Sequence, residues 1–246
     1  MKNYIIIGAT SGIGRACAKK LSGKDNTLIV VGRNKEKLDW LKNNLGGTVI
    51  PVQYDLSDLY QVKEIYSVCQ TSSIKLDGMV YSAGVDGTWP VKVNPIDKMR
   101  TMMEINCFAF AELAKLFYSS RISNKGASIV AISSIASLTM EPGMMSYSAS
   151  KAALNAVVKT MAKEFIRRKI RVNAVLPAGV STPMAEMKDE LLSEVQEVYK
   201  GNTEKNVLGL GMIPPEQVAE QVAFLLSDYA AFKTGELEVL SAGVWY

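Results

Sequence analysis

Tyr147 and Lys151 stand four residues apart in the run Tyr-Ser-Ala-Ser-Lys. On a helix that spacing puts a phenol and an ammonium on one face, one turn from each other. The neighbours Ala149, Ala152, Ala153, Leu154 and Ala156 favour a helix, with no Gly or Pro among them. A free phenol titrates near ~10, too high for proton transfer at neutral pH. A nearby cation favours the phenolate and lowers that value, which would make Tyr147 a general acid or base. Upstream, Ser133 and Ser134 close the apolar run Ile129-Val130-Ala131-Ile132. A strand ending there would present a hydroxyl to a substrate oxygen. Taken alone, a Tyr-x-x-x-Lys pair is most often a surface pair, so its weight comes from the rest of the chain.

The composition removes competing chemistries. There is no histidine in the 246 residues, which excludes Ser-His-Asp hydrolysis and histidine acid/base catalysis. Cys17, Cys69 and Cys107 are scattered without Cys-x-x-Cys spacing, so they read as buried thiols, with neither a metal site nor a disulfide expected. A net charge of +4 is too mild for a nucleic-acid binder but suits a polyanionic cofactor or substrate. With 48% hydrophobic residues the chain can bury one substantial core, and a single domain is expected. No apolar run approaches the roughly 20 residues that span a bilayer. Met1-Lys2-Asn3-Tyr4 leads straight into Ile5-Ile6-Ile7, unlike a signal peptide, so a cytoplasmic protein with no membrane partner is expected.

The elements that must position the pair alternate along the chain. Tyr4-Ile5-Ile6-Ile7 ends in Gly8-Ala9-Thr10-Ser11-Gly12-Ile13-Gly14, and a helical pattern follows to about Leu21. Strand, glycine turn and helix together let a backbone approach a pyrophosphate at a helix N-terminus. The run Thr27–Val31 ends in Gly32-Arg33-Asn34, where a dinucleotide fold meets the adenosine ribose. An acid there would favour NAD; Arg33, with Arg15 as a second candidate, favours the 2′-phosphate of NADP instead. A helix over about 35–45 precedes a strand over 49–53, which Pro51 marks as an edge. Asp58 is expected to cap a helix running to about Thr71. Strands follow at 77–81, 127–132, 171–176 and 235–240, with helices at about 94–120, 147–168 and 215–227. The irregular stretch at about 181–211 reads as a substrate lid. This order predicts an α/β fold: a doubly wound parallel sheet of about seven strands with helices on both faces.

Several independently spaced motifs together resemble the short-chain dehydrogenase/reductase family over essentially the whole chain. They are Gly8-x-x-x-Gly12-x-Gly14, Asp55 after the third strand, Asn106, Ser134 and Tyr147-x-x-x-Lys151. The resemblance is nearest to the 3-oxoacyl-carrier-protein reductase type, whose C-terminal pattern is similar to Thr234-Gly235 through Val239. It implies a single-domain Rossmann fold with strand order 3-2-1-4-5-6-7 and hydride transfer between NADP, or alternatively NAD, and a carbonyl or alcohol. It implies that Tyr147 protonates the carbonyl oxygen, Ser134 holds it, Lys151 holds the nicotinamide ribose and Asn106 anchors a relay water. It also implies dinucleotide contacts from Gly8, Thr10, Ser11, Gly12, Ile13, Gly14, Arg33, Asp55, Leu56, Ser82, Ala83, Gly84, Tyr147, Lys151, Pro177, Val180 and Thr182. The implied assembly is a homotetramer or homodimer, and the implied substrate a carbonyl, including one borne on acyl carrier protein. Lys125 and Arg168 would dock that carrier near the mouth of the site. Three positions depart from the family: Ser82-Ala83-Gly84 for Asn-Ala-Gly, Pro177-Ala178-Gly179 for Pro-Gly, and Ala242-Gly243 for Gly-Gly. A generic ketone, sugar or secondary-alcohol dehydrogenase, a sugar-nucleotide epimerase and a non-catalytic dinucleotide-binding protein are the competing readings.

Overall fold

In the sequence Asn-Tyr-Ile-Ile-Ile every side chain but the first is apolar, so the strand it forms, β1 (Asn3–Ile7), is buried on both faces. Tyr4 and Ile6 enter one hydrophobic cluster while Ile5 and Ile7 enter the other, as the two-residue strand period requires. The computed structural model describes residues 1–185 and 209–243. Around β1 lie β2 (Thr27–Gly32), β3 (Thr48–Gln53), β4 (Leu76–Tyr81), β5 (Ser123–Ile132), β6 (Arg171–Pro177) and β7 (Leu237–Leu240). They form one parallel seven-stranded sheet in the order β3-β2-β1-β4-β5-β6-β7. Strand number, direction and order agree with the sequence reading, and β3, which carries Pro51, is an edge.

One face of the sheet is covered by α1 (Gly12–Leu21), α2 (Lys35–Asn44) and the late helix Pro215–Leu226. The other is covered by α3 (Ser67–Thr71), α4 (Ile96–Met103), α5 (Ala109–Phe117) and the long α7 (Met145–Glu164), with the short α6 (Ala136–Thr139) just before α7. Leu154, Val158 and Ala162 anchor α7 in that second cluster. Burying one side chain of this size contributes about 1.5–3 kcal/mol. No helix among the described residues is long and apolar enough to cross a membrane. The lid expected at about 181–211 falls largely at 186–208, outside the described residues.

Two elements differ from the sequence reading. The helix expected from Asp58 is replaced by a turn and a 3₁₀ segment at Val62–Tyr66 before the short α3. Asp58 does accept from backbone N–H groups, those of Tyr60 and Gln61, but they belong to the turn. The helix expected over 94–120 contains a π-helical segment at Glu104–Phe108 between α4 and α5. The Tyr81 hydroxyl donates to the Ile105 carbonyl within this segment.

The expected position of Lys125 and Arg168 also needs correction. Both lie at the N-terminal end of β5, whereas Ser134 follows its C-terminal end, so the two sites occupy opposite edges of the sheet. The Arg168 guanidinium is engaged within the fold: it donates to the Tyr118 carbonyl, to Ser123 Oγ at 3.0 Å and to the Ser123 carbonyl at 2.7 Å. It also sits 5.7 Å from the centre of the Tyr118 ring. A planar fork with several acceptors in place fastens the end of α7 to the start of β5. Arg168→Met should therefore lower unfolding free energy by about 2–3 kcal/mol, because charged hydrogen bonds are lost and two carbonyls lose their donors. Urea denaturation followed by circular dichroism measures this, and an unchanged midpoint would exclude the structural role.

Candidate active site

A buried β5 running out at Ile132 leaves Ser133 and Ser134 at the C-terminal edge of the sheet. Ser133 turns inward, its hydroxyl reaching the Lys151 carbonyl at 3.4 Å. Ser134 instead faces the Tyr147 phenol, close enough to pull its pKa down, and its Oγ accepts from the Ala136 N–H at 3.2 Å. Tyr147 and Lys151 come from the first turns of α7. Lys151 is only 4% exposed, and its Nζ donates to the Ile132 carbonyl at 2.8 Å. A strand end and a helix start thus bring two hydroxyls and a cation together.

The electrostatics differ from the sequence expectation. Burial pushes the Tyr147 phenol up, repulsion from Asp86 raises it further, and the Ser134 hydrogen bond pulls it down. Burial dominates over Lys151, whose ammonium lies 5.7 Å from the ring centre and is committed to a carbonyl. Burial pushes Lys151 itself down to about 8, opposed by Asp86 and Cys107. At neutral pH the phenol keeps its proton and the lysine is mostly an ammonium. That state donates a proton more readily than it accepts one.

Asn106 sits in the π-helical segment, fully buried. Its Oδ1 accepts from the Val85 N–H at 2.8 Å, and its Nδ2 donates to the Val85 carbonyl at 2.9 Å. The same Nδ2 donates to Ser150 Oγ at 2.9 Å, and Ser150 Oγ donates to the Tyr147 carbonyl at 2.8 Å. The amide therefore ties the loop after β4 to α7. Gly84 lies against this clamp: a Cβ there would sit 3.2 Å from Asn106 Oδ1 and 3.5 Å from Lys151 Nζ.

The predicted dinucleotide residues converge on the same edge. Gly8 has φ +85°, and a Cβ on it would come 2.6 Å from the Ala83 nitrogen. One on Gly14 would come 2.1 Å from the Gly8 carbonyl oxygen. Only glycine lets the first turn lie this close to Ser82-Ala83 and to the start of α1. Gly12 faces Thr182, whose Cγ2 would be 3.1 Å from an added Cβ, so the loop after β6 closes over the glycine turn. Thr10 packs against Gly32 at the end of β2, with Ser11 preceding and Ile13 within the first turn of α1. Pro177 ends β6, its carbonyl accepting from the Ile135 N–H at 3.0 Å, and Val180 is buried beside Ile213. Leu56 is buried in the core, so only its backbone can face a ligand. Asp55 is exposed, its Oδ1 accepting from the Ser57 N–H at 3.0 Å. A helix N-terminus without a side-chain cap, beside a glycine-rich turn, fits a dinucleotide's pyrophosphate.

Arg33 is exposed after β2, and its carbonyl accepts from Gln53 Nε2 at 3.0 Å. Arg15 stacks on Trp40, 4.3 Å from the ring centre. Arg15 and Trp40 line an open cavity of about 270 Å³ together with Thr10, Glu36, Lys37 and Leu41. Lys37 and Trp40 had no motif to mark them, since their relation to Arg15 arises only when α2 packs beside α1. Asp86 was missed for a similar reason: it lies beyond Ser82-Ala83-Gly84, and its closeness to Tyr147 and Lys151 depends on how the loop folds back.

Comparison with known proteins agrees with this geometry. The family profile adh_short_C2, described as enoyl-(acyl carrier protein) reductase, matches residues 8–244. A 3-oxoacyl-[acyl-carrier-protein] reductase FabG from Thermotoga maritima is 30% identical, covering 99% of this chain and 97% of the relative. A 7alpha-hydroxysteroid dehydrogenase from Bacteroides fragilis is 28% identical, covering 99% and 94%. A solved short chain dehydrogenase/reductase family protein superposes with a TM-score of 0.85 at 26% identity, covering 98% of this chain and 96% of its own. With the glycine turn, the seven-stranded sheet and the Ser134–Tyr147–Lys151 cluster in place, the chain belongs to the short-chain dehydrogenase/reductase family of oxidoreductases.

Proposed function

We propose that this protein is an NADPH-dependent carbonyl reductase acting on a 3-oxoacyl thioester, in a single catalytic domain. The observation that carries the reading is the Ser134–Tyr147 hydroxyl pair beside a buried Lys151 at the C-terminal edge of β5. A bound nicotinamide dinucleotide supplies the hydride. Negative charge develops on the carbonyl oxygen, and two positioned hydroxyls next to a cation stabilise it there. Ser134 donates a hydrogen bond to that oxygen. Tyr147 gives it the phenolic proton. Lys151 contributes positive charge and a donor for a ribose hydroxyl, while Asn106 holds the loop beside Lys151. The glycine turn from Gly8 to Gly14, Ser82–Gly84 and Pro177–Thr182 take the dinucleotide, with Asp55 and Leu56 near the adenine.

The thioester is supported by the FabG relatives, which are 3-oxoacyl-[acyl-carrier-protein] reductases. It is also supported by exposed apolar residues. Val91 and Val93 lie in the 3₁₀ turn between Trp89 and Asn94, which bond Gly143 and Ser146 beside the start of α7. These two and Met140 before α7 are each more than 60% exposed. An acyl chain would cover them. Ile96 and Phe108, exposed on the same layer as α4 and α5, suit association of chains into a homodimer or homotetramer.

Tyr147→Phe should lower kcat by roughly 10²–10⁴-fold, the usual worth of a general acid, with the dinucleotide still binding. Loss of NADPH absorbance with an acetoacetyl thioester measures the first, and quenching of tryptophan fluorescence the second. A variant that keeps most of its kcat would remove the phenol from the reaction. NADPH should be preferred over NADH through Arg33 and Arg15. A charge-assisted hydrogen bond is worth about 1.5–3 kcal/mol, so the ratio of kcat/KM should be about 10–150-fold. Arg33→Ala and Arg15→Ala should each reduce that ratio. Equal kcat/KM for both cofactors, unaltered in the variants, would overturn the assignment.

A further inference from the structure

The buried ammonium of Lys151 raises a question that the family motif does not answer. A charge with 4% exposure is stable only when paired, because desolvation otherwise neutralises it. The hydrogen bond it donates goes to a neutral carbonyl, Ile132 O. Among the described residues, the titratable groups around it are Tyr147 on its own helix, Cys107 from the π-helical segment and Asp86 from the loop after β4. Asp86 is the only carboxylate of the three.

The loop holds that carboxylate in a defined place. Asn106 clamps both backbone groups of Val85, the residue before it. Gly84, the residue before that, lies against Lys151. The Gly87 N–H donates to Asp86 Oδ1 at 2.6 Å, fixing the side chain. On its far side the loop is pinned where the Trp89 N–H donates to the Gly143 carbonyl at 3.0 Å, next to the start of α7. Asp86 is half-buried, so its field is only partly screened by solvent.

We infer that Asp86 is a positioning residue of the active site, the counter-charge that keeps Lys151 an ammonium and Tyr147 a protonated phenol. A negative charge favours the positive form of the amine and disfavours the phenolate. Both effects act in the same direction, towards the proton-donating state that carbonyl reduction requires. The acid thus extends to higher pH the range in which the site reduces. The consequence for rate rests on the reductase reading; the charge relation does not.

Asp86→Asn is the informative change, since Asn Oδ1 can still accept from Gly87 while the charge is gone. Lysine Cε resonances of the ¹³C-labelled full chain, with Lys151 assigned by its loss in Lys151→Met, report the ammonium directly. In the parent protein Lys151 should titrate near pH 8. In Asp86→Asn the midpoint should fall by about one unit or more, the usual effect of an opposite charge at close range. Asp86→Glu should restore it, and Asp86→Ser should match Asp86→Asn. In reduction assays the alkaline limb of kcat/KM should move down by the same amount. A Lys151 midpoint equal in the parent, Asp86→Asn and Asp86→Ser would overturn the inference, as would a loss of kcat/KM uniform across pH. A shifted midpoint in a protein that reduces no carbonyl would leave the charge pair standing and sink the reductase reading instead.

Discussion

The buried amide of Asn106 is the constraint on which the rest of the site depends. It satisfies the N–H and C=O of Val85 and reaches Ser150, so one side chain joins the loop after β4 to α7. Val85 gains a ladder-like pair of bonds where no strand is available to provide them. Buried backbone groups without partners cost about 1–3 kcal/mol each, so the loop has little freedom to sit elsewhere. Everything near Lys151 depends on that clamp. Gly84 can lie against the ammonium because Val85 is held, and Ser150 passes the constraint to the carbonyl of Tyr147. The π-helical segment is the backbone expression of the same arrangement. The Tyr81 hydroxyl bonds the Ile105 carbonyl next to Asn106, where the ladder departs from the α-helical pattern. Such segments occur often at functional sites.

The sheet supplies the second constraint. Seven parallel strands end on one edge, so the turns after β1, β2, β4, β5 and β6 meet there whatever their separation along the chain. The contact distances at Gly8 and Gly14 show how tightly this edge is packed; a methyl group at either would overlap backbone. The opposite edge carries fold-holding interactions. There Arg168 fastens α7 to β5, and Arg171 donates to the carbonyls of Leu225 at 2.7 Å and Ser227 at 3.0 Å. The arginines differ between the two edges: Arg15 and Arg33 at the C-terminal edge keep exposed side chains, while Arg168 and Arg171 at the other bond carbonyls.

Particular residues show how far the chain could be read without its fold. The alternation of Tyr4, Ile5, Ile6 and Ile7 requires a strand covered on both sides, and Pro51 requires an edge; both are local consequences of side-chain period and of a missing N–H. The glycine turn is equally local. Asp58 misled, because an acid able to cap a helix is equally able to close a turn, and the residues after it decide between the two. Arg168 misled for another reason. Its separation from Tyr147 along a helix fixes distance but not which neighbour lies at the end, and Tyr118 and Ser123 are supplied by other elements.

The Tyr147–Lys151 pair marks the boundary between the two kinds of information. Their spacing, the strand-ending serines and the absence of histidine pointed from the sequence alone to a phenol and an amine, with carboxylates, as the groups left to move protons. Helix and strand periodicity are short-range properties, so the alternation of about seven parallel strands with helices was equally legible there, while the strand order followed only from the resemblance to the family. Only the tertiary structure decided the protonation of the pair. Burial raises the phenol and lowers the amine, and that depends on the depth of packing over α7. The carboxylate that opposes the second effect, Asp86, comes from a different loop, brought close by the Asn106 clamp. Coulombic and desolvation energies depend on distance through space and on exclusion of water, and neither is defined until the chain has folded.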